Sequence, residues 1–186
     1  MKLSLYLATS LIITSAVIGT AFGYYLTPNY QQTMYQKETM GLGNPDRFLD
    51  LRYLNQMSTH HQGAIELANQ ISTKSTRPEI ITLAADIQSG EPKLIASLAD
   101  LKKTLYNDTR PAPKPQVLNL GASDDKSDLR FLNALITHHE QGIQMTREAK
   151  SKSTRVEILN DADAVETFLT NSLKTLKQWR LDWYGI

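Results

Sequence analysis

The chain has 186 residues, enough for one domain with a real core plus an extension. Twenty lysines and arginines against nineteen acids leave a net charge of +1, and there is no Lys/Arg cluster or stacking aromatic series, so a nucleic-acid partner is excluded. The absence of cysteine removes disulfides, thiolate zinc sites, iron–sulfur clusters and cysteine nucleophiles, while leaving the redox compartment open.

Residues 1–27 read as an N-terminal hydrophobic helix, either a signal-anchor or a signal peptide. From Leu3 to Leu26 no residue is charged. A membrane span needs roughly 20 apolar residues and a secretory core about 7–15, so the run has the length of a span. Ser, Thr and Gly dilute it, and Ala21-Phe22-Gly23 offers a cleavage site, so both readings stay open. Lys2 on the leading side predicts a cytoplasmic N-terminus and an exported body. The body is therefore expected in the periplasm or otherwise outside the cytoplasm, held to the inner membrane if the segment is retained. Residues 28–43 read as a polar tether whose only sulfur atoms are those of Met34 and Met40.

Residues 44–186 are expected to be all-α, a four-helix bundle built from two helical hairpins, 44–107 and 124–186, joined by a linker, 108–123. Asn44-Pro45-Asp46 has the form of a helix start, and the first helix is predicted from about Pro45 to Thr73. Its stripe steps by three and four through Leu51, Leu54, Met57, His61, Ile65, Ala68 and Ile71. Thr76-Arg77-Pro78-Glu79 matches a capping box and opens the second helix, with Ile80, Leu83, Ala84, Ile87, Leu94, Leu98, Leu101 and Leu105 facing inward. Ser89-Gly90-Glu91-Pro92 is expected to interrupt and kink it. The linker carries Pro111, Pro113, Pro115 and Gly121 and is stiff. Ser123-Asp124-Asp125 is predicted to cap the third helix, and Thr154-Arg155-Val156-Glu157 to open the fourth.

The hairpins are copies. Eight of twelve positions agree between Asp50–His61 and Asp128–His139, and six of seven between Lys74–Ile80 and Lys152–Ile158, at a constant offset of 78 residues. One hairpin cannot bury both its apolar stripes. Two packed together can, with pseudo-twofold symmetry.

All four histidines fall at equivalent points of the repeat, as His60-His61 and His138-His139. Helical phase places His61 and His139 on the core stripe and turns His60 and His138 by about 100° toward its edge. Met57 lies one turn before the first pair and Met145 two turns after His138. Imidazole is the commonest protein metal ligand and thioether is soft, so His60, His61, His138 and His139 with Met57 and Met145 favour copper, especially copper(I). Zinc could use the histidines but gains little from methionine. Met34 and Met40 are further thioether candidates. Such ligation predicts binding that weakens below about pH 6.5. The competing reading is a protein-interaction module whose histidines are structural. Burying two polar rings per hairpin without partners is costly, which weighs against it. No enzyme is expected: Glu-x-x-His, His-Glu-x-x-His and glycine-rich phosphate motifs are missing, and no strained nucleophile turn supports a Ser-His-Asp arrangement.

The string Met57-Ser58-Thr59-His60-His61-Gln62-Gly63-Ala64-Ile65-Glu66-Leu67-Ala68 resembles domain-of-unknown-function family 305, a ferritin-like four-helix group. The resemblance spans about Asn44 to Trp183. It implies copper or silver binding through the four histidines with methionines assisting, in an exported protein; the expected role is copper buffering or delivery in the periplasm, with an envelope protein as a further candidate partner. Thr59 stands where the family prefers proline, Leu67 and Leu135 replace methionines, and Gly142 is displaced by one position from the first repeat's Gly63.

Overall fold

The computed structural model describes residues 41–186. The hydrophobic helix read at residues 1–27, most of the tether, Met34 and Met40 lie outside the described residues. Among the described residues there are four helices and no strand: α1 (Leu49–Ile71), α2 (Pro78–Tyr106), α3 (Ser127–Lys152) and α4 (Val156–Tyr184). Helix α1 packs on α2 and α3 on α4, and the two hairpins meet chiefly through α1 and α3. No helix among the described residues is long and apolar enough to cross a membrane.

The duplication is visible bond by bond. Arg52 donates from Nε to the Leu42 carbonyl at 2.6 Å, from Nη2 to Asn44 O at 2.7 Å and from Nη1 to Asp46 Oδ1 at 2.9 Å. Its repeat mate Arg130 reaches Leu120 O at 2.6 Å and Ala122 O at 2.7 Å, and pairs with Asp124. Gly43 and Gly121 take φ of 71° and 75°, a left-handed turn that glycine enters without steric cost. Lys152 and Lys74 each donate to the carbonyl of one of these glycines, both at 2.6 Å. Across the hairpins, Arg77 pairs with Asp128 at 3.2 Å and Arg155 with Asp50 at 3.1 Å.

These contacts move the helix starts away from the predicted positions. The segments around Asn44-Pro45-Asp46 and Ser123-Asp124-Asp125 form turns, because Asp46 and Asp124 accept the amides of Phe48 and Lys126 while Arg52 and Arg130 hold the incoming chain. Helices α1 and α3 begin only at Leu49 and Ser127. Thr76 and Thr154 do not cap: the cap residues are Arg77 and Arg155, in extended conformation, with their amides bonded to Ser75 Oγ and Ser153 Oγ. The residue before Pro78 is biased to extended backbone, and both arginine side chains are committed to the cross-hairpin ion pairs. Leu42, at the end of the stretch read as tether, is 0 % exposed and belongs to the core.

Helix α2 also continues through Pro92, where an interruption was expected. The Pro92 ring is exposed, so the carbonyl it deprives of a donor lies on the solvent side of the helix. Leu94, expected inside, is 41 % exposed, while Glu91 one turn earlier faces inward to His61.

The core has two apolar clusters. One gathers Leu67, Ile71, Ile80, Phe131, Leu132 and Leu135, the other Leu42, Leu54, Met57, Leu98, Ile143 and Met145. The histidine pairs fall between these two sets in both α1 and α3.

Candidate metal centre

Each histidine pair sits near the middle of a helix that is covered on two sides, by its own hairpin partner and by the other repeat. That doubled coverage changes the helical-phase expectation. His60, placed at the stripe edge by periodicity, is 7 % exposed, against 4 % for His61 and 5 % for His139. His138 alone is only partly buried.

The rings of His60 and His138 stack at 3.7 Å between centroids with 14° between planes. His60 Nε2 lies 2.9 Å from the His138 carbonyl. A carbonyl can only accept, so in the neutral ring Nε2 carries the proton and Nδ1 carries the lone pair. That Nδ1 is buried with no hydrogen-bond partner among the described residues, and the same holds for His138 Nε2 and His139 Nδ1. His139 Nε2 lies 2.9 Å from Ser172 Oγ. His61 Nδ1 makes a short contact with Glu91 Oε2.

Two glycines make room for the stack. A Cβ on Gly142 would stand 2.7 Å from His60 Nε2 and 2.5 Å from Leu169 Cδ1. A Cβ on Gly63 would meet His138 Cε1 at 3.1 Å. Each repeat thus supplies the glycine against which the other repeat's histidine lies, and the one-position displacement of Gly142 does not abolish this. The linker covers the first repeat's side: Thr59 Oγ1 lies 2.9 Å from both the Asn55 and Pro113 carbonyls, and Pro115 Cβ would be 3.7 Å from a Gly63 Cβ.

Burial dominates the electrostatics. It pushes His60 down to about 3, with the neighbouring His61 adding to the effect and the His138 carbonyl opposing it. It pushes His139 down to about 4 against the pull of the Leu135 carbonyl, and holds His138 well below the ordinary range. These three rings are therefore neutral at neutral pH, the form that ligates metals. The loss of binding expected below about pH 6.5 moves lower for them. Beside His61, Asp161 accepts from the Tyr53 hydroxyl at 2.7 Å; burial raises its pKa, with Tyr53 and His61 pulling the other way.

Met57 and Met145 are 0 % and 3 % exposed and lie in the same apolar cluster, among leucines and isoleucines. Among the described residues, no three His, Asp or Glu side chains gather into a metal-holding group. What the site offers is a layer of neutral imidazoles with unpartnered nitrogens, adjoining a cluster that holds two thioethers. That donor set suits a soft cation of low coordination number better than a hard one that needs an oxygen cage.

Sequence reasoning missed Glu91 and Ser172. Each belongs to the second helix of its histidine's own hairpin, so its role depends on how the two helices pair and leaves no signal in the local sequence around it.

Fold and site together define a duplicated four-helix bundle with histidine pairs at the interface of its repeats. The chain belongs to the family described as Domain of unknown function (DUF305), whose sequence model matches residues 50–127 and again 114–180. No curated protein matches the chain. Among solved structures it is similar to CopM in the Cu(I)-bound form, with 27% identity and a TM-score of 0.65, over 73% of this chain and 98% of that one. The silver-bound form from co-crystallization gives the same values. CopM in the Cu(II)-bound form is 25% identical with a TM-score of 0.63, over 73% and 97% of the two chains.

Proposed function

We propose that this protein binds copper, favouring copper(I), in its buried histidine layer, and acts without catalysis as a copper buffer or carrier outside the cytoplasm. The observation that carries the reading is the set of unpartnered, buried nitrogens on His60, His138 and His139. A buried polar atom without a partner costs about 1–3 kcal/mol, and a bound cation removes that cost. Support comes from the copper- and silver-bound forms of CopM, which share the fold. Copper(I) suits neutral imidazoles placed beside the cluster of Met57 and Met145. Periplasmic location, attachment to the inner membrane through residues 1–27, and transfer to an envelope protein complete the proposal.

Titration of full-length protein with copper(I) against a chromophoric chelator tests it. Wild-type protein is expected to bind, and His60→Ala combined with His138→Ala to lose that binding while keeping its helical circular dichroism. Unchanged stoichiometry in the double variant would sink the assignment.

The second reading is an interaction module with structural histidines. It is favoured by the partner that His60, His61 and His139 each already have, and by the lack of a closed ligand cluster among the described residues. It predicts that neither copper(I) nor silver(I) raises the melting temperature.

A further inference from the structure

We infer that Glu91 is a positioning residue for the metal centre: its carboxylate holds the Nδ1–H of His61 and leaves Nε2 as that ring's only ligating atom. The inference rests on the reading of the histidine layer as a copper site.

The His61 and Glu91 side chains are 6 % and 11 % exposed, so their contact is sheltered from competing water. An ionised carboxylate accepts and cannot donate, so a neutral His61 must carry its proton on Nδ1. His60 is held the opposite way, with its proton on Nε2 and its lone pair on Nδ1. Two adjacent residues, their rings 6.0 Å apart and 81° inclined, thus present different nitrogens. A carboxylate on the far nitrogen of a ligating imidazole fixes the tautomer, orients the ring and raises its basicity.

The second repeat has no equivalent. Leu169 stands at the counterpart of Glu91, and His139 is held by the Ser172 hydroxyl. The Ser172 hydroxyl can donate or accept, so unlike a carboxylate it does not by itself dictate the tautomer. Duplication produced two histidine pairs, and Glu91 makes them chemically unequal: among the described residues, His61 is the one of the four histidines with a carboxylate hydrogen-bond partner.

The test uses full-length protein in two arms. Long-range 1H–15N spectra of the metal-free protein at pH 7.5 read the tautomer of His61. Competition against a chromophoric chelator, with copper(I) alone as the probe, reads affinity. Wild-type His61 is expected as the Nδ1–H form. Glu91→Leu should shift it toward Nε2–H and weaken copper(I) binding by about 10–100-fold. Glu91→Gln, whose carboxamide oxygen still accepts, should keep the tautomer and lose less affinity.

A wild-type His61 that is doubly protonated or Nε2–H overturns the inference, as does unchanged affinity in Glu91→Leu. Should Glu91→Leu fail to fold, unchanged affinity in Glu91→Gln overturns it instead. Wild-type protein that takes up no copper(I) overturns the metal reading and this inference with it. Copper uptake that is intact but indifferent to residue 91 overturns this inference alone.

Discussion

The imidazoles of His60 and His138, 78 residues apart in sequence, lie face to face with centroids 3.7 Å apart, joining the two repeats at their equivalent points. The contact requires a close approach of α1 and α3, which Gly63 and Gly142 permit.

That requirement makes the two glycines unequal. Alanine in mid-helix gains about 0.5–1 kcal/mol over glycine from chain entropy. At Gly142 the added methyl would fall within 2.8 Å of the His60 ring and of Leu169. Overpacking of this kind costs about 1–3 kcal/mol, so Gly142→Ala should be net destabilising. Gly63→Ala meets one ring atom at 3.1 Å, which a small tilt relieves, and should be near neutral. Urea unfolding of both variants checks this; a Gly142→Ala protein more stable than wild type would contradict the packing.

Stability should fall with acid. In the unfolded chain histidine takes up its proton near pH 6.5, whereas native His139 and His60 do so only near 4 and 3. Between those values the unfolded state binds more protons, so stability is full above about pH 6.5 and declines as pH drops toward 4. His138, held low in the same way, steepens the decline. Melting temperatures from pH 7.5 to 4.5 read the slope. His60→Leu should flatten it, and a variant slope equal to wild type would contradict the buried neutral ring.

The Tyr53–Asp161 hydrogen bond joins the first hairpin to the second, and the residues at its repeat-related positions, Phe131 and Leu83, are both apolar. Tyr53→Phe leaves a mostly buried carboxyl without its donor and should cost about 1–3 kcal/mol. Adding Asp161→Leu reproduces the repeat-related Phe131 and Leu83 pair and should recover most of the loss. A double-mutant cycle in urea with no coupling between the two positions would remove the bond from the account.

Silver(I) or copper(I) should raise the melting temperature of full-length protein. Ligand at 100 times its dissociation constant adds about 2.7 kcal/mol if it binds the native state alone. The His60→Ala/His138→Ala protein should show no such rise. A rise of equal size in that variant would move the site elsewhere in the chain.

Much of this was written plainly in the sequence. The constant offset between Asp50–His61 and Asp128–His139 gave away the duplicated hairpins, and three-four periodicity put His61 and His139 inside. Periodicity describes one helix against one neighbour, however. Helices α1 and α3 each have two, which is why His60 proved as buried as the stripe residues. The caps were misplaced for a related reason: Asp46 and Asp124 had the chemistry to start helices, but Arg52 and Arg130 drew them into turns through contacts of 2.6–2.9 Å. Glu91 was hidden because Gly90 and Pro92 beside it suggested an interruption, while its role depends on register across the hairpin.

X-ray absorption at the copper edge of the copper(I)-loaded full-length protein tests the central claim most directly. The account predicts nitrogen neighbours with the multiple-scattering pattern of imidazole, lost in the His60→Ala/His138→Ala variant. A shell of thioether sulfur or oxygen without imidazole would contradict it.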